Sequence, residues 1–228
     1  MQAETLFHRE IETPLGSAVL AADTAGLAGF YFSDQRDCPI VLDRHRTQRI
    51  SNPQAGEHEG TMLRRYRVFT RSGNTGKALR HPLYTKVNWQ RGVAAEDANR
   101  AQSANESVPD SVLSYFEQTM KELDAYFRGR LTYFSVPLSL KGTHFQVKVW
   151  ETLAKLPEDQ LISYGELGRT AGVSPGAYRA VGVAVGRNPV SIIVPCHRVV
   201  AADARLTGYG GGLERKVALL EHEGFQLR

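Results

Sequence analysis

The chain has 228 residues, 42% of them hydrophobic and 23% charged, with a net charge of +4. That length permits two small domains or one larger one around a real core, and the balance of residue types is that of an ordinary globular protein. No run approaches the roughly 20 apolar residues that span a bilayer, and so mild a basic excess permits nucleic acid as a partner without demanding it.

Residues 9–33 read as a β-hairpin or meander. The run Ile11–Leu20 leads through a polar turn at Asp23–Gly26 into Leu27–Phe32. The composition then changes. Arg36 to Ala104 holds 13 Lys/Arg against six Asp/Glu, a net of +7, with scattered Gly, Pro, Ser, Asn and Gln and no sustained periodicity. A stretch this long without a pattern is either functional or unstructured. Tyr66–Phe69 and Tyr84–Trp89 are its two candidate strands, and its charge suits either an extended footprint on a polyanion or a solvated decoration. Regular structure resumes with a helix started by Ser107 or Asp110 as cap, carrying Val112, Tyr115, Phe116, Leu123, Tyr126 and Phe127 at helical spacing and closed by Gly129. An extended connection at Phe134–Leu138 marks a boundary near residues 136–142.

The following stretch predicts a helix from about Thr143 to Leu156. Ser163 with Glu166 three residues on forms a capping box for a short helix, Tyr164–Ala171. The Gly172–Pro175 turn then opens a second helix, expected to start at Pro175 and run to about Gly186. Helix, tight turn and helix make the helix-turn-helix pattern, which alone is a weak sign of DNA binding. The second helix carries Ala177, Ala180, Gly182 and Ala184, small residues that allow close approach to a neighbouring helix or to a partner surface, with Arg179 among them.

The apolar, β-branched run Ser191–Val200 is expected to be a buried strand or extended segment that delivers Cys196 and His197 to a fixed place, with Pro195 stiffening the approach. A thiol is nucleophilic as the thiolate, and a nearby base promotes that form. Neighbours on an extended chain face opposite ways, so a water is expected to carry the proton between the two. A buried structural cysteine beside a core histidine is the plain alternative, and a thiol hydrolase is a second catalytic one. Glu221-His222-Glu223-Gly224 offers a carboxylate that could orient His197 as the acid of a nucleophile–base–acid set. The glycine-rich loop Thr207–Gly212 lacks the ending of a phosphate-binding P-loop and suits one wall of a pocket. The other cysteine, Cys38, is far away, no Cys-x-x-Cys pair exists and no metal is expected.

Asn188-Pro189-Val190 followed by Ile192-Ile193-Val194-Pro195-Cys196-His197-Arg198-Val199 resembles the active-site signature of the methylated-DNA–protein-cysteine methyltransferases, or O(6)-alkylguanine-DNA alkyltransferases. The resemblance runs from about Thr143 to Gly224 and takes in Ile162-Ser163-Tyr164, Arg179-Ala180-Val181-Gly182, Gly208-Tyr209 and His222-Glu223-Gly224. A weaker one covers residues 9–33 and 107–140. It implies an α+β protein. A small N-terminal domain of antiparallel sheet plus helix (1–140, with the basic insertion at about 36–104) precedes a mainly helical domain (141–228) that carries the helix-turn-helix and the active site.

The resemblance also implies roles. Cys196 is the alkyl acceptor, His197 its base through a water, Glu223 the orienting acid and Asn188 the brace of the turn. Tyr209 assists the leaving base. Tyr164 presses on the phosphate of the damaged nucleotide, Arg179 fills the gap in the base stack, and Ala177, Ala180 and Gly182 enter the minor groove, with Arg198 also assigned to DNA. The expected partner is double-stranded DNA with alkylated bases, approached by a monomer without a cofactor, with cooperative binding and the choice between guanine and thymine lesions left open. With no export signal at Met1–His8, a cytoplasmic protein is expected, nucleoid-associated if bacterial.

Overall fold

A computed structural model describes residues 5–35, 68–71, 94–95 and 108–227. Cys38, Ser107 and Tyr84–Trp89 lie outside these residues, as does nearly all of the basic stretch.

Three strands open the chain: β1 (Phe7–Thr13), β2 (Gly16–Asp23) and β3 (Gly26–Phe32). They form an antiparallel meander in register Ile11↔Ala18 and Leu20↔Phe30. Of the hairpin and the meander, the chain takes the meander: the run Ile11–Leu20 is two strands, reversed at Pro14–Leu15, where Gly16 takes a φ of 111° that a side chain would resist. Two short strands come from the basic stretch. Here β4 (Val68–Arg71) is displaced from the expected Tyr66–Phe69, and β5 (Ala94–Ala95), which nothing in the sequence signalled, extends the sheet to the order β3-β2-β1-β5. Strand β4 pairs instead with the last strand, β8 (Phe225–Leu227).

Helix α1 (Asp110–Phe127) lies across β2 and β3 and buries Val112, Phe116, Leu123, Tyr126 and Phe127, the stripe its spacing predicts. Its cap position is Pro109, with no side-chain bond, so Asp110 does not serve as the expected cap. Gly129 ends it in the left-handed region at φ 68°. The chain then returns along the open edge of β3. Leu27 N–H donates to Pro137 O at 2.8 Å and Ser139 N–H to Leu27 O at 2.8 Å. Further along the same edge, Phe30 N–H donates to Pro189 O and Ser191 N–H to Phe30 O. The edge strand is thus covered at one end by the connection between the two halves and at the other by the approach to Cys196.

The second half is helical. Helix α2 (His144–Ala154) starts at a capping box of Thr143 and Gln146, and α3 (Tyr164–Thr170) at the predicted box of Ser163 and Glu166. Helix α4 (Tyr178–Gly186) begins three residues later than expected. Pro175 lies in the turn and Gly176 adopts φ 96°, which breaks a helix that Pro175 would otherwise have started. Trp150 on α2 donates its indole N–H to Ala184 O on α4 at 2.8 Å. Gly168 on α3 lets Val181 and Tyr178 of α4 close in, since an added Cβ would stand 3.3 Å from Val181. Two-residue strands β6 (Ile162–Ser163) and β7 (Val199–Val200) pair in parallel, and α5 (Leu213–His222) leads into β8. One hydrophobic cluster runs from Ile11 and Phe30 through Leu123 and Trp150 to Val181 and Cys196. No helix among the described residues is long and apolar enough to cross a membrane.

Candidate active site

The segment before Cys196 is not the strand or extended run its composition predicts. It coils. Val194 N–H donates to Val190 O, Ile193 N–H to Ser191 O and Cys196 N–H to Val194 O, and Ile192 sits at φ 69°. A β-branched residue in the left-handed region is strained, and such strain persists only where the surroundings impose it. Here Asn188 imposes it from inside. Its Oδ1 accepts from Val190 N–H at 3.0 Å. Its Nδ2 reaches Val194 O at 2.8 Å, Val190 O at 3.3 Å and Cys196 Sγ at 2.9 Å. An amide NH2 has two hydrogens, so the long contact to Val190 is the weak one and the amide chiefly ties the carbonyl to the sulfur.

Cys196, His197 and Arg198 form one turn of 3-10 helix, all three buried. Burial pushes the Cys196 thiol up to about 11, against the pull of the Asn188 amide and the positive charge of Lys216. His197 Nε2 lies 2.9 Å from Glu223 Oε1. A carboxylate only accepts, so Nε2 carries the hydrogen and Nδ1 is left as an acceptor, and Nδ1 is buried without a partner among the described residues. Burial lowers the pKa of His197, and Glu223 only partly offsets this, so the ring is a neutral base near pH 7. For Glu223, burial alone would raise the carboxyl pKa. His197 and Arg198 overcome that and hold it far below the usual range.

Arg198, expected on DNA, is turned inward. Its Nε and Nη2 clamp Glu223 Oε2 and Oε1 at 2.8 Å each, and Nη1 reaches the Leu156 and Pro157 carbonyls. A buried carboxylate needs a partner, and a bidentate guanidinium is the strongest available. The expectation of a DNA contact is corrected.

Lys216 is a member of the site that the sequence reading missed. It is fully buried on α5, and its Nζ donates to Val199 O at 2.5 Å and Thr207 O at 3.3 Å. Burial pushes its pKa down to about 8, with Cys196 pulling the other way. Spacing of three, four and seven residues puts Lys216, Leu219, Leu220 and Glu223 on one helix face, a signal that was present in the sequence. Tyr126 on α1 was missed too, having been read as plain core. Its hydroxyl donates to Glu223 Oε1 at 2.9 Å.

The glycine-rich loop forms a wall of the site. The Tyr209 ring meets His197 edge-on at 6.4 Å between centroids, and its hydroxyl is buried with no hydrogen-bond partner among the described residues. Burial and the neighbouring Cys196 sulfur raise its pKa well above the usual value. Gly211 is obligatory, because an added Cβ would stand 2.8 Å from the Tyr209 ring and 2.9 Å from the Phe32 ring. Arg215 pins the loop to the sheet. Nη1 donates to Gly211 O and Nε to Leu15 O, both at 2.9 Å, while the guanidinium lies 4.2 Å over Phe32 and pairs with Asp34.

Beside this wall, Tyr164 bonds Thr207 Oγ1 at 2.7 Å, with its ring against Gly182. Gly182 is thus packed toward Tyr164 rather than turned outward. On α4, Ala184 and Val181 are buried, whereas Arg179, Ala180 and Val183 are exposed and Ala177 is half-buried. Arg179 has no polar partner among the described residues. Among the described residues there is also no group of three His, Cys, Asp or Glu side chains able to hold a metal.

Fold and site together define a buried thiol, imidazole and carboxylate set against a helix-turn-helix with an exposed arginine. Residues 144–225 match the DNA-binding domain of the 6-O-methylguanine DNA methyltransferases, and residues 86–140 match their ribonuclease-like domain. The chain is 53% identical over 112 residues to the methylated-DNA–protein-cysteine methyltransferase of Mycobacterium leprae, covering 49% of this chain and 67% of that protein. It is 40% identical over 152 residues to the one from Methanosarcina mazei, covering 67% of this chain and 88% of that one. Other mycobacterial relatives are matched over 65% of their length. The crystal structure of Mycobacterium tuberculosis OGT in complex with DNA is similar with a TM-score of 0.59 and 32% identity, over 95% of this chain and 92% of that one. The chain belongs to the methylated-DNA–protein-cysteine methyltransferase family.

Proposed function

We propose that the protein repairs duplex DNA by moving an alkyl group from O6 of guanine onto the Cys196 sulfur, once per molecule. The observation that carries this reading is the Asn188–Cys196 contact at 2.9 Å beside the His197–Glu223 pair, in a chain of this family. Cys196 gives its proton, through a water, to Nδ1 of His197, the ring nitrogen left as acceptor once Nε2–H is committed to Glu223. The sulfur attacks the alkyl carbon. The S–C bond forms, the C–O6 bond breaks with its electron pair on oxygen, and the guanine takes up the proton that His197 received, relayed through water, so that it departs neutral, Tyr209 lending it a hydrogen bond. The Asn188 N–H bond to sulfur and the nearby charge of Lys216 stabilise the developing thiolate. A thioether is stable to water, so the site is used once.

An O6 substituent is out of reach inside the stack, and the nucleotide must flip. Exposed Arg179 is suited to occupy the gap, with Ala180 and Ala177 allowing minor-groove approach and Tyr164 pressing on the flipped nucleotide's phosphate. Glycine at 182 serves this indirectly, by seating the Tyr164 ring. The two family matches meet between residues 140 and 144, which supports a division at 140/141 into a scaffolding part and an acting part. A whole thiol–imidazole–carboxylate set within one chain supports action as a monomer, in a reducing compartment.

Duplex DNA carrying radiolabelled O(6)-methylguanine should pass one equivalent of methyl per chain, all of it to Cys196. Repeated turnover, label elsewhere, or DNA-independent hydrolysis of an ester would refute the reading, the last in favour of a thiol hydrolase.

A further inference from the structure

Glu223 Oε1 accepts three hydrogen bonds, two from residues next to the nucleophile and one from the other half of the chain. His197 Nε2 stands at 2.9 Å and Arg198 Nη2 at 2.8 Å, and the third donor is the Tyr126 hydroxyl at 2.9 Å. The phenol is held there on every side. Its ring packs against Phe127 at 5.3 Å, Phe134 at 5.4 Å and His222 at 5.0 Å between centroids. His222, adjacent to Glu223 in sequence, donates Nε2–H to the Tyr126 carbonyl at 2.7 Å. Helix α1 and the His222–Glu223 corner are therefore stapled twice, once through the phenol and once through the backbone of the same residue.

We propose that Tyr126 is a positioning residue for alkyl transfer: its hydroxyl fixes the Glu223 carboxylate and sets how much of that negative charge reaches His197. The inference rests on the repair reading above. Each donor to Oε1 withdraws charge from the oxygen that faces the imidazole. With the phenol in place the imidazole is a weaker base that stays neutral; without it, Glu223 holds the proton on His197 more firmly. Burial and the neighbouring carboxylate raise the pKa of Tyr126 well above the usual value, so it remains a donor across the working range. The charged and titratable groups that bear on His197 and Glu223 are Cys196 and Arg198 on the same turn, Lys216 and His222 on α5, Tyr209 on the loop and Tyr126 on α1, with Glu158 acting on Arg198. Burial lowers the Lys216 pKa to about 8, so His197 is read on the acid limb, below 6.5, where Lys216 keeps its proton.

The test compares Tyr126→Phe, which keeps the ring and its packing, with 3-fluorotyrosine at the same position, a stronger donor of nearly the same shape. The single-turnover rate of transfer from a small O(6)-alkylguanine base is followed from pH 5 to 7.5, and the ring nitrogens of 15N-histidine-labelled protein report the His197 titration directly. The Phe variant should move the His197 midpoint and the acid limb of the rate up by about half a pH unit, and the fluorotyrosine protein should move both down. If the midpoint is unchanged in both, or moves the same way in both, the phenol is only a satisfied buried hydroxyl and the proposal is overturned. If the Phe variant does not fold, the fluorotyrosine protein decides, an unchanged midpoint overturning the proposal. Wild-type protein that places no label on Cys196 would sink the repair reading instead, while the histidine titration would still report whether Tyr126 controls His197.

Discussion

Lys216 has two carbonyls for partners and no carboxylate, in a place where an ammonium is costly. Its charge works against the burial that pushes the Cys196 thiol up to about 11. Lys216→Met keeps the bulk and removes the charge. The thiolate fraction should drop, slowing transfer to duplex and to free base alike by about tenfold for each unit that the thiol rises. The wild-type advantage should also fade as pH rises through about 8, where Lys216 gives up its proton. Stopped-flow transfer rates from pH 7 to 9 check both, and an equal ratio at every pH would show that the charge is irrelevant. At this scale the sequence was partly legible. The motif named Cys196, His197, Asn188 and Glu223, and the fold brings these four together. Arg198 was sent outward because a charged residue reads as a surface residue until the carboxylate that clamps it is seen. Lys216 was missed for the same reason.

The helix starts at Thr143 and Ser163 were legible because a capping box is local chemistry, written within four residues. The run before Cys196 was misread because its apolar, β-branched residues favour a strand wherever nothing else intervenes. What intervenes is the amide of Asn188, which replaces ladder partners with side-chain bonds and holds Ile192 in the left-handed region. On α4 the buried and exposed faces assign separate duties. Val181 and Ala184 hold the helix to α2 and α3, leaving Arg179 and Ala180 free. Arg179→Ala and Tyr164→Phe should therefore slow repair of duplex DNA at least tenfold more than reaction with a free alkylated base, because the role proposed for both is in flipping rather than bond-making. Parallel single-turnover rates on the two substrates decide the point, and equal losses would place both residues in the chemistry.

For the whole molecule, the buried site makes the fold sensitive to acid, and the sign can be followed group by group. Burial lowers His197 and His222 below 6.5, so as pH falls the unfolded chain binds protons that the fold refuses, and stability declines. Glu223 has a depressed pKa as well. Its contribution is complete above 4.5, the ordinary carboxyl value, and is lost as pH falls toward the folded pKa. The thermal midpoint should drop from pH 7 to 5 and more steeply below 4.5. Glu223→Gln should be less stable at pH 7 and should lack its share of the steeper fall, as circular dichroism melts can establish. A midpoint that is flat from pH 7 to 4, or an unaltered slope in the variant, would contradict this account. The α+β order was legible at this scale, but the continuity of the core across residues 136–142 was not. It depends on long-range pairings along the β3 edge that no local pattern encodes.

Arg215 carries a further consequence. It bonds Leu15 O, 200 positions earlier, and Asp34, 181 positions earlier, and both Arg215 and Glu223 follow Cys196 in the chain. During synthesis, Cys196 therefore leaves the ribosome before Arg215 and Glu223 do. A nascent chain in which His197 lacks its carboxylate and the Tyr209 wall lacks its anchor holds an inert thiol. Reactivity is therefore deferred until α5 and the Glu223 corner have been made and have folded back onto the sheet, so on the proposed function the alkyl-accepting sulfur is not spent before the fold that brings DNA to it exists.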